Sequence, residues 1–563
     1  MTARRPARAA GFFDGPLPRL LWLTFGLFVT VGLLVYGPAL QGAFISDDWH
    51  YVERNEYIHT PSVDNLIAIW NPTSEVTVLV ENYAPVHLML HVIEWQLFGP
   101  DVLGYHVVNV VLHALAAMLL IPIYLRSGIG RKAALLGAAL FMLHPANVES
   151  VAWISQLKSS TALVLSLLAI LLHPRRPILA LVAFAFALFA KPFSAFALPI
   201  VAILGWRRLD RNEDWHWHWL LSWVAVAFVF AAVEMAAFSQ SAGLAPPLYE
   251  DLVIRYSTIF SVILRYLLMA ALGIGLSIFH EPPPVESFLD PWFVLGVLAA
   301  GLLVWRLLVS WRRPGDEPVY WLWAAISFAP LSGLLPLPYP IADRYLYFVL
   351  PGLIGAMLLF WQGLWPALSD RLADYAGPAT IAGRVALGLL LAHFAVASHG
   401  RAAVFQNPET LMADSERNYP NGAAANTRKA HRAAMRGDHA SAIQYLRAAH
   451  ARGYNRVDNL ISDPAYASMQ NDPDFVELKF AMADDWIRRL SLDPAPSHYT
   501  ARSLAQAYIV KGELPAALAL IVAASERPGP IGDELRADAE DLRRQIALMQ
   551  RLSERAGRST SSP

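Results

Sequence analysis

The chain has 563 residues, 56% of them hydrophobic and 16% charged, with a formal net charge of −1 and a mean hydropathy of +0.38. That profile belongs to a polytopic membrane protein, excludes an ordinary soluble domain, and lacks the basic footprint that nucleic-acid binding needs. With no cysteines, a disulfide framework and thiolate metal sites are excluded as well.

In chain order, Arg4, Arg5, Arg8 and Arg19 lead into an apolar run, and Leu20 to Ser46 holds no Lys, Arg, Asp or Glu. A run of that length crosses a bilayer as a helix. No small-residue cleavage site follows it, so it reads as a retained anchor. Asp47 and Asp48 come next, then Trp49, His50 and Tyr51. This carboxylate pair stands where the membrane ends, a place for a general base to meet a lipid-borne substrate. A plain interfacial role is the alternative.

Further charge-poor stretches lie at 102–125, 133–148, 159–174, 177–190, 192–206, 215–233, 266–280, 291–305, 318–342, 345–369 and 385–400. Lys and Arg mark cytoplasmic loops. The N-terminal arginines, Arg126–Arg131–Lys132, Arg175–Arg176, Arg207–Arg208–Arg211, Arg312–Arg313 and Arg371 are therefore expected inside. The first external loop is then 41–101, joined outside by 149–158, Lys191, 238–290 and the loop around Asp343. A full crossing by 259–280 would carry Arg312–Arg313 outside. Residues 250–280, with Arg255 and Arg265, are accordingly read as a re-entrant or surface-lying element. The expectation is an all-α polytopic protein of about eleven crossings: a cytoplasmic tail 1–18, a membrane domain 19–400 and an external C-terminal region 401–563.

That C-terminal region is rich in Ala, Arg and Asp with helical periodicity. Arg436-Gly437-Asp438 with Ala442-Ile443 resembles Lys511-Gly512-Glu513 with Ala517-Leu518. A turn glycine followed five positions on by a small residue is how tetratricopeptide helix pairs close-pack. Plain helical hairpins are the alternative.

Charged and polar residues in a hydrophobic setting ask for a reason. The outside-facing set includes Asp47, Asp48, His50, Glu81, Tyr83, His87, His144, Glu149, Lys158, Lys191, Asp343, Arg344 and Tyr345. Acids and cations on one rim suit transfer from an anionic lipid donor: a carboxylate takes the proton of an acceptor hydroxyl, and Arg or Lys holds the leaving phosphate. The structural alternative is that Asp343 and Arg344 pair with each other and Lys191 reaches toward water. His216 and His218 form a His-x-His that could ligate zinc, but they sit on the cytoplasmic side, and no metal site is assigned. No P-loop, dinucleotide fingerprint or His-Glu-x-x-His is present, so no cofactor is implied, and a divalent ion stays open.

Four stretches taken together resemble the transmembrane-and-tetratricopeptide (TMTC-like) O-mannosyltransferases, within the GT-C glycosyltransferases that also hold the protein O-mannosyltransferases. They are Phe44-Ile45-Ser46-Asp47-Asp48; Leu143-His144-Pro145 with Val148-Glu149 and Val151-Ala152-Trp153-Ile154; Ala190-Lys191-Pro192; and Ala342-Asp343-Arg344-Tyr345-Leu346-Tyr347. Tyr105-His106 with Asn109 and His113 fits the second span of such proteins. The chain departs from the family pattern at Asp343, where the family has Glu, and at Ala84-Pro85, where it has Arg-Pro.

The resemblance implies transfer of mannose or another hexose from a polyprenyl-phosphate donor, with inversion, to an extracytoplasmic acceptor, most simply a protein Ser or Thr hydroxyl. It implies that Asp47 or Asp48 is the catalytic acid, without choosing between them. Arg344, Lys191 and Arg255 are the candidate donor-phosphate groups. Asp343, Tyr345, His144, Glu149, His87 and Tyr83 are the further candidate binding residues. The partners implied are the lipid-linked donor, the bilayer and an acceptor protein held by the C-terminal repeats. The location implied is a bacterial inner membrane, with the active site and C-terminal region periplasmic. A glycan or lipid acceptor, or a catalytically inactive membrane scaffold, are the alternatives.

Overall fold

The structure is a computed structural model that describes residues 16–80, 82–207, 215–238, 252–332, 341–371, 376–491, 496, 498–526 and 530–559. Arg4, Arg5, Arg8, Glu81, Arg208 and Arg211 lie outside the described residues, as does most of the 1–18 tail. Among the described residues every regular element is helical. The chain divides into two compact units. One is Met1–Ser62, Ala84–Ala231 and Pro246–Asp414; the other is Val63–Tyr83, Ala232–Ala245 and Ser415–Pro563.

The first unit opens with α1 (Leu17–Val35) and the short α2 (Glu56–His59). Two short helices, α3 (Val63–Trp70) and α4 (Glu75–Leu79), belong to the second unit. The first resumes with α5 (Pro85–Phe98), α6 (Val102–Arg126), α7 (Arg131–Leu143), α8 (Val148–Ala152) and α9 (Leu157–Leu172). It continues through α10 (Pro177–Ala190), α11 (Ala197–Arg207), α12 (His218–Phe238), whose residues from Ala232 on belong to the second unit, α13 (Leu252–Leu272) and α14 (Pro291–Trp311). It closes with α15 (Glu317–Phe328), α16 (Leu346–Arg371) and α17 (Ala376–Ala402). Local chemistry sets the boundaries. Asp101 accepts from Leu103 N at the start of α6, and Asp290 from Trp292 N at the start of α14. Pro85, Pro177 and Pro291 occupy first turns, where a missing N–H costs nothing.

Among the described residues eight helices, α1, α6, α9 taken with the turn from Ile154, α12, α13, α14, α16 and α17, are long and apolar enough to cross a membrane, or nine if α7 and 145–152, bent by 50°, form one span. The expected spans at 177–190, 192–206 and 318–342 yield helices of only 14, 11 and 12 residues. These are short for a straight crossing of ~20 residues. Contacts at helix ends show how the chain nevertheless runs, because they sort into two rims. On the first rim Ser155 meets Asp48, Lys191 meets Ser159, Arg344 meets Glu149, Ala270 meets His144, and Gln406 meets Pro38. On the second, Arg126 meets Leu171, Gly130 meets Gln362, Tyr320 meets Ser127, His173 meets Trp215, and Arg207 meets Trp311 and Arg313.

These contacts place the two ends of α7, α9, α10, α11 and α16 on opposite rims. Phe230, late in α12, lies against Phe189 beside Lys191, and α13 ends with Ala270 on His144. Trp292, at the start of α14, stacks under Arg265 of α13. The 21 residues of α13 form one continuous helix of spanning length that finishes on the first rim. Glycine makes the closest packing possible: a Cβ on Gly355 would stand 2.3 Å from the Tyr320 ring, so α15 and α16 approach closely only without one.

In the second unit, α18 (Pro408–Asn418) straddles the boundary and leads to α19 (Ala423–Met435), α20 (His439–His450), α21 (Val457–Ser462) and α22 (Pro473–Leu490). Then come α23 (His498–Val510), α24 (Leu514–Ser525) and α25 (Pro530–Ser559). The α19–α20 and α23–α24 turns place Gly437 at φ +76° and Gly512 at φ +77°, where a Cβ would be strained. Ala442 and Ala517, five residues on, are wholly buried. The two matching stretches are therefore equivalent helical hairpins. The same unit holds 63–83: Tyr83 donates to Trp70 O at 2.9 Å, and His498 Nδ1 lies 3.5 Å from Glu75 Oε1.

Candidate functional site

The first rim gathers most of the expected polar residues. Span α1 ends, a 3₁₀ turn follows, and Ser46 adopts φ +51°, a left-handed conformation uncommon for a residue with a side chain. Strain of this kind persists only where surroundings enforce it, and it collects at functional sites. Asp47 and Asp48 come next, then a π-helical turn at Trp49–Glu53. That turn type is also frequent at such sites.

The two acids part company here. Asp48 is fully buried. Its Oδ2 accepts from Ile45 N at 3.0 Å and its Oδ1 from Ser155 N at 2.7 Å, so it fastens the loop to the turn after α8. The Trp153 indole reinforces the joint by donating to Ile45 O at 3.3 Å. Burial pushes the Asp48 carboxyl up to about 7; the two N–H donors oppose that rise and Asp47 adds to it. Asp47 is partly exposed, its carboxylate 3.4 Å from Ser46 Oγ and within electrostatic reach of Arg344.

Arg344 does not pair with its neighbour Asp343. Its backbone N donates to Glu149 Oε2 at 2.7 Å, and its Nη1 donates to Glu149 Oε1. Glu149 is buried, and the guanidinium packs near the Trp153 and Tyr345 rings at 5.7 and 5.3 Å. Asp343 turns the other way. His280 Nε2 lies 2.7 Å from its Oδ1, Ser277 N donates to the same oxygen at 3.3 Å, and Arg401 Nη2 donates to Oδ2 at 3.1 Å. Arg401 also donates to Asp414 Oδ2 at 2.6 Å. An aspartate, one methylene shorter than the glutamate of the resembling family, is the central joint of this buried network.

Two lysines complete the rim. Lys158, 9% exposed, donates from Nζ to Tyr51 OH at 3.1 Å, and Nζ lies 4.3 Å from that ring's centroid. Lys191 donates to Ser159 Oγ at 2.7 Å. His87 is wholly buried, its ring 4.9 Å from Tyr51 and 4.4 Å from His91. Burial, then His91, Lys158 and Lys191, hold its imidazole well below the usual range and so neutral.

The structure thus brings together Asp47, Asp48, Glu149, Arg344, Tyr345, Lys191 and His87. It leaves others apart. His144 caps the turn after α7, accepting from Ala146 N and bonding Ala270 O, which is a joint between helices. Tyr83 belongs to the second unit. Arg255 sits near the start of α13, roughly 16 Å along the helix from Tyr266, whose hydroxyl bonds Ala342. His216 and His218 have rings 6.2 Å apart, and no group of three or more His, Asp or Glu is placed to hold a metal among the described residues. His280, Arg401 and Asp414 escaped the sequence reading. The signal for Arg401 was its place at the end of an apolar helix, where a charge needs a partner.

No family model matches the chain, and no solved structure matches it. A stretch of 161 residues is 24% identical to a protein O-mannosyl-transferase of Caenorhabditis elegans, covering 26% of this chain and 22% of that protein. The chain therefore matches about a fifth of that relative's length. The similarity supports a glycosyltransferase-like protein, and the helices are those of an all-α polytopic membrane protein.

Proposed function

We propose that this protein is a GT-C-type glycosyltransferase that moves a hexose from a polyprenyl-phosphate carrier to a hydroxyl of an extracytoplasmic acceptor. The observation that carries the reading is the split of the acid pair: Asp48 is consumed in holding the loop, and Asp47 is left partly open beside Arg344 on a rim that also bears Lys158 and Lys191. Asp47 is the general base. It takes the acceptor's proton as the oxygen attacks the anomeric carbon, and the carrier phosphate leaves on the opposite face, inverting that centre. Asp48 is a positioning residue.

Two observations support a C-terminal region on the side of the Asp pair. Gln406, just after α17, donates to Pro38 O just after α1, so the far end of the first unit lies on the first rim. The second unit packs the external-loop segment 63–83 with the C-terminal helices, through Glu75 and His498. The Lys- and Arg-bearing loops at Arg126–Lys132, Arg175–Arg176 and Arg312–Arg313 share the second rim, which favours that rim as cytoplasmic. The helical hairpins, tetratricopeptide-like in their turn glycines, would then hold a protein acceptor on the side of the membrane that bears Asp47. The test is transfer itself. Purified protein in nanodiscs is given radiolabelled polyprenyl-phosphate mannose or glucose with acceptor proteins, and label should move to protein in a form released by β-elimination. Label that never leaves the lipid with any acceptor protein, glycan or lipid would refute the reading.

A further inference from the structure

Resting on that reading, we propose that Lys158 and Lys191, with the His87 ring packed on the Tyr51 ring that Lys158 also contacts, form the cradle for the donor's phosphate, and that Arg344 does not bind it. The charges on the first rim point this way. Arg344 is matched by Glu149 through two hydrogen bonds, so its charge is already neutralised. Neither lysine has such a partner: among the described residues no carboxylate forms an ion pair with Lys158 or Lys191. Each ammonium rests on a neutral oxygen and an aromatic face, Lys158 on Tyr51 and Lys191 on Ser159 and Phe193. The two are within electrostatic reach of each other.

Two partly desolvated cations set against one another, with Glu149 the nearby carboxylate but already paired to Arg344, are unfavourable in an empty site, and each costs several kcal/mol to desolvate. An anion placed between them removes both penalties, and it gains charge-assisted hydrogen bonds from ammonium groups that have three N–H donors each. The geometry holds the cradle in place. Ser159, which accepts from Lys191, itself donates to Gln156 Oε1 at 2.7 Å, so the lysine's anchor is fixed. Lys158 and Ser159 are consecutive on the first turn of α9, and Lys191 caps α10 beside it.

A second observation comes from His87. It is 0% exposed, and neither ring nitrogen has a hydrogen-bond partner. A buried imidazole with both nitrogens idle is costly. Its N–H can donate to a phosphate oxygen held by the lysines, in the neutral form that burial favours most and His91 and the lysines favour further.

The experiment measures binding, without transfer. Full-length protein in phosphatidylcholine nanodiscs is titrated with C55 polyprenyl phosphate, carrying no sugar, for the wild type, Lys158→Met, Lys191→Met and Arg344→Met. Each lysine variant should bind about 10- to 100-fold more weakly, the range expected for one charge-assisted hydrogen bond. Arg344→Met should change affinity less than either. The lysine variants should also match or exceed wild-type thermal stability without ligand, because a buried uncompensated charge has been removed. A purely structural lysine would give the opposite sign. Inorganic phosphate should compete only weakly, and phosphatidylglycerol should not displace the polyprenyl phosphate. Wild-type binding that both lysine variants retain would overturn this inference and leave the proposed function standing. Equal displacement by phosphatidylglycerol would reduce the cradle to a general anionic-lipid contact. A wild type that binds no polyprenyl phosphate would overturn both.

Discussion

Replacing each acid of the pair by asparagine should give two different defects. In Asp48 both carboxylate oxygens accept from backbone N–H groups, Ile45 N and Ser155 N. Asparagine has one oxygen and one NH₂, so one of those donors would face another donor. A buried group left unsatisfied costs about 1–3 kcal/mol, or a factor of about 5 to 150 in how fully the loop stays seated. Asp48→Asn should therefore lower the melting temperature and reduce turnover within that factor. Asp47→Asn breaks no hydrogen bond to the backbone; only the 3.4 Å contact with Ser46 Oγ is altered. It should leave the melting temperature and donor affinity unchanged and cut kcat by about 10²–10⁴, the usual loss of a general base.

The pH dependence separates the two further. The Asp48 carboxyl is held up at about 7 in the fold against 3.8 ordinarily. The folded protein therefore keeps this proton longer than the unfolded chain does, and the contribution of Asp48 to stability falls as pH rises from about 4 to about 7, by up to ~1.4 kcal/mol per pH unit. Melting temperatures measured from pH 5 to 8 should show that slope in the wild type and in Asp47→Asn, and a flatter curve in Asp48→Asn. An Asp48→Asn protein that is dead at wild-type stability, beside an active Asp47→Asn, would reverse the assignment.

Other substitutions follow from the buried network. Arg401→Met leaves Asp343 and Asp414 without their shared cation and should cost about 3–5 kcal/mol in stability, read as an earlier thermal unfolding; the double variant Arg401→Met with Asp343→Asn should recover part of it. Arg344→Lys keeps the backbone contact with Glu149 but loses the planar guanidinium that reaches Glu149 Oε1 and packs near the Trp153 and Tyr345 rings, and should lower kcat while leaving donor affinity near wild type, whereas a loss confined to donor affinity would count against the lysine cradle. The absence of cysteine makes sidedness testable in intact cells: Ala440→Cys should react with an impermeant thiol reagent and Ser127→Cys should not, and the reverse pattern would place the C-terminal hairpins away from Asp47.

What the chain reveals before folding, and what it hides, follows from the range of the interactions involved. Apolar run lengths locate the helices, and turn glycines locate the hairpins. Gly437 and Gly512 need left-handed φ whatever packs around them. Ion pairs are another matter. Asp343 and Arg344 are neighbours, yet a 3₁₀ turn sends their side chains to different partners, Arg344 to a glutamate 195 residues away and Asp343 to His280 and Arg401. Which partner wins depends on which helices finish at the same level, and no local rule contains that. The departure of 63–83 to the second unit, taking Tyr83 with it, is hidden for the same reason.

The loop charges do lead to an expectation of rim membership, however, and membership alone carries a consequence. Asp47, Glu149, Lys158, Lys191 and Arg344 fall on one side by the Lys and Arg pattern before any contact is known. Once a single carboxylate is bound to the arginine and another is kept open as a base, two lysines remain without an ion-pair partner among the described residues. In a setting where unpaired charge is expensive, that excess is the part of the site that calls for a ligand.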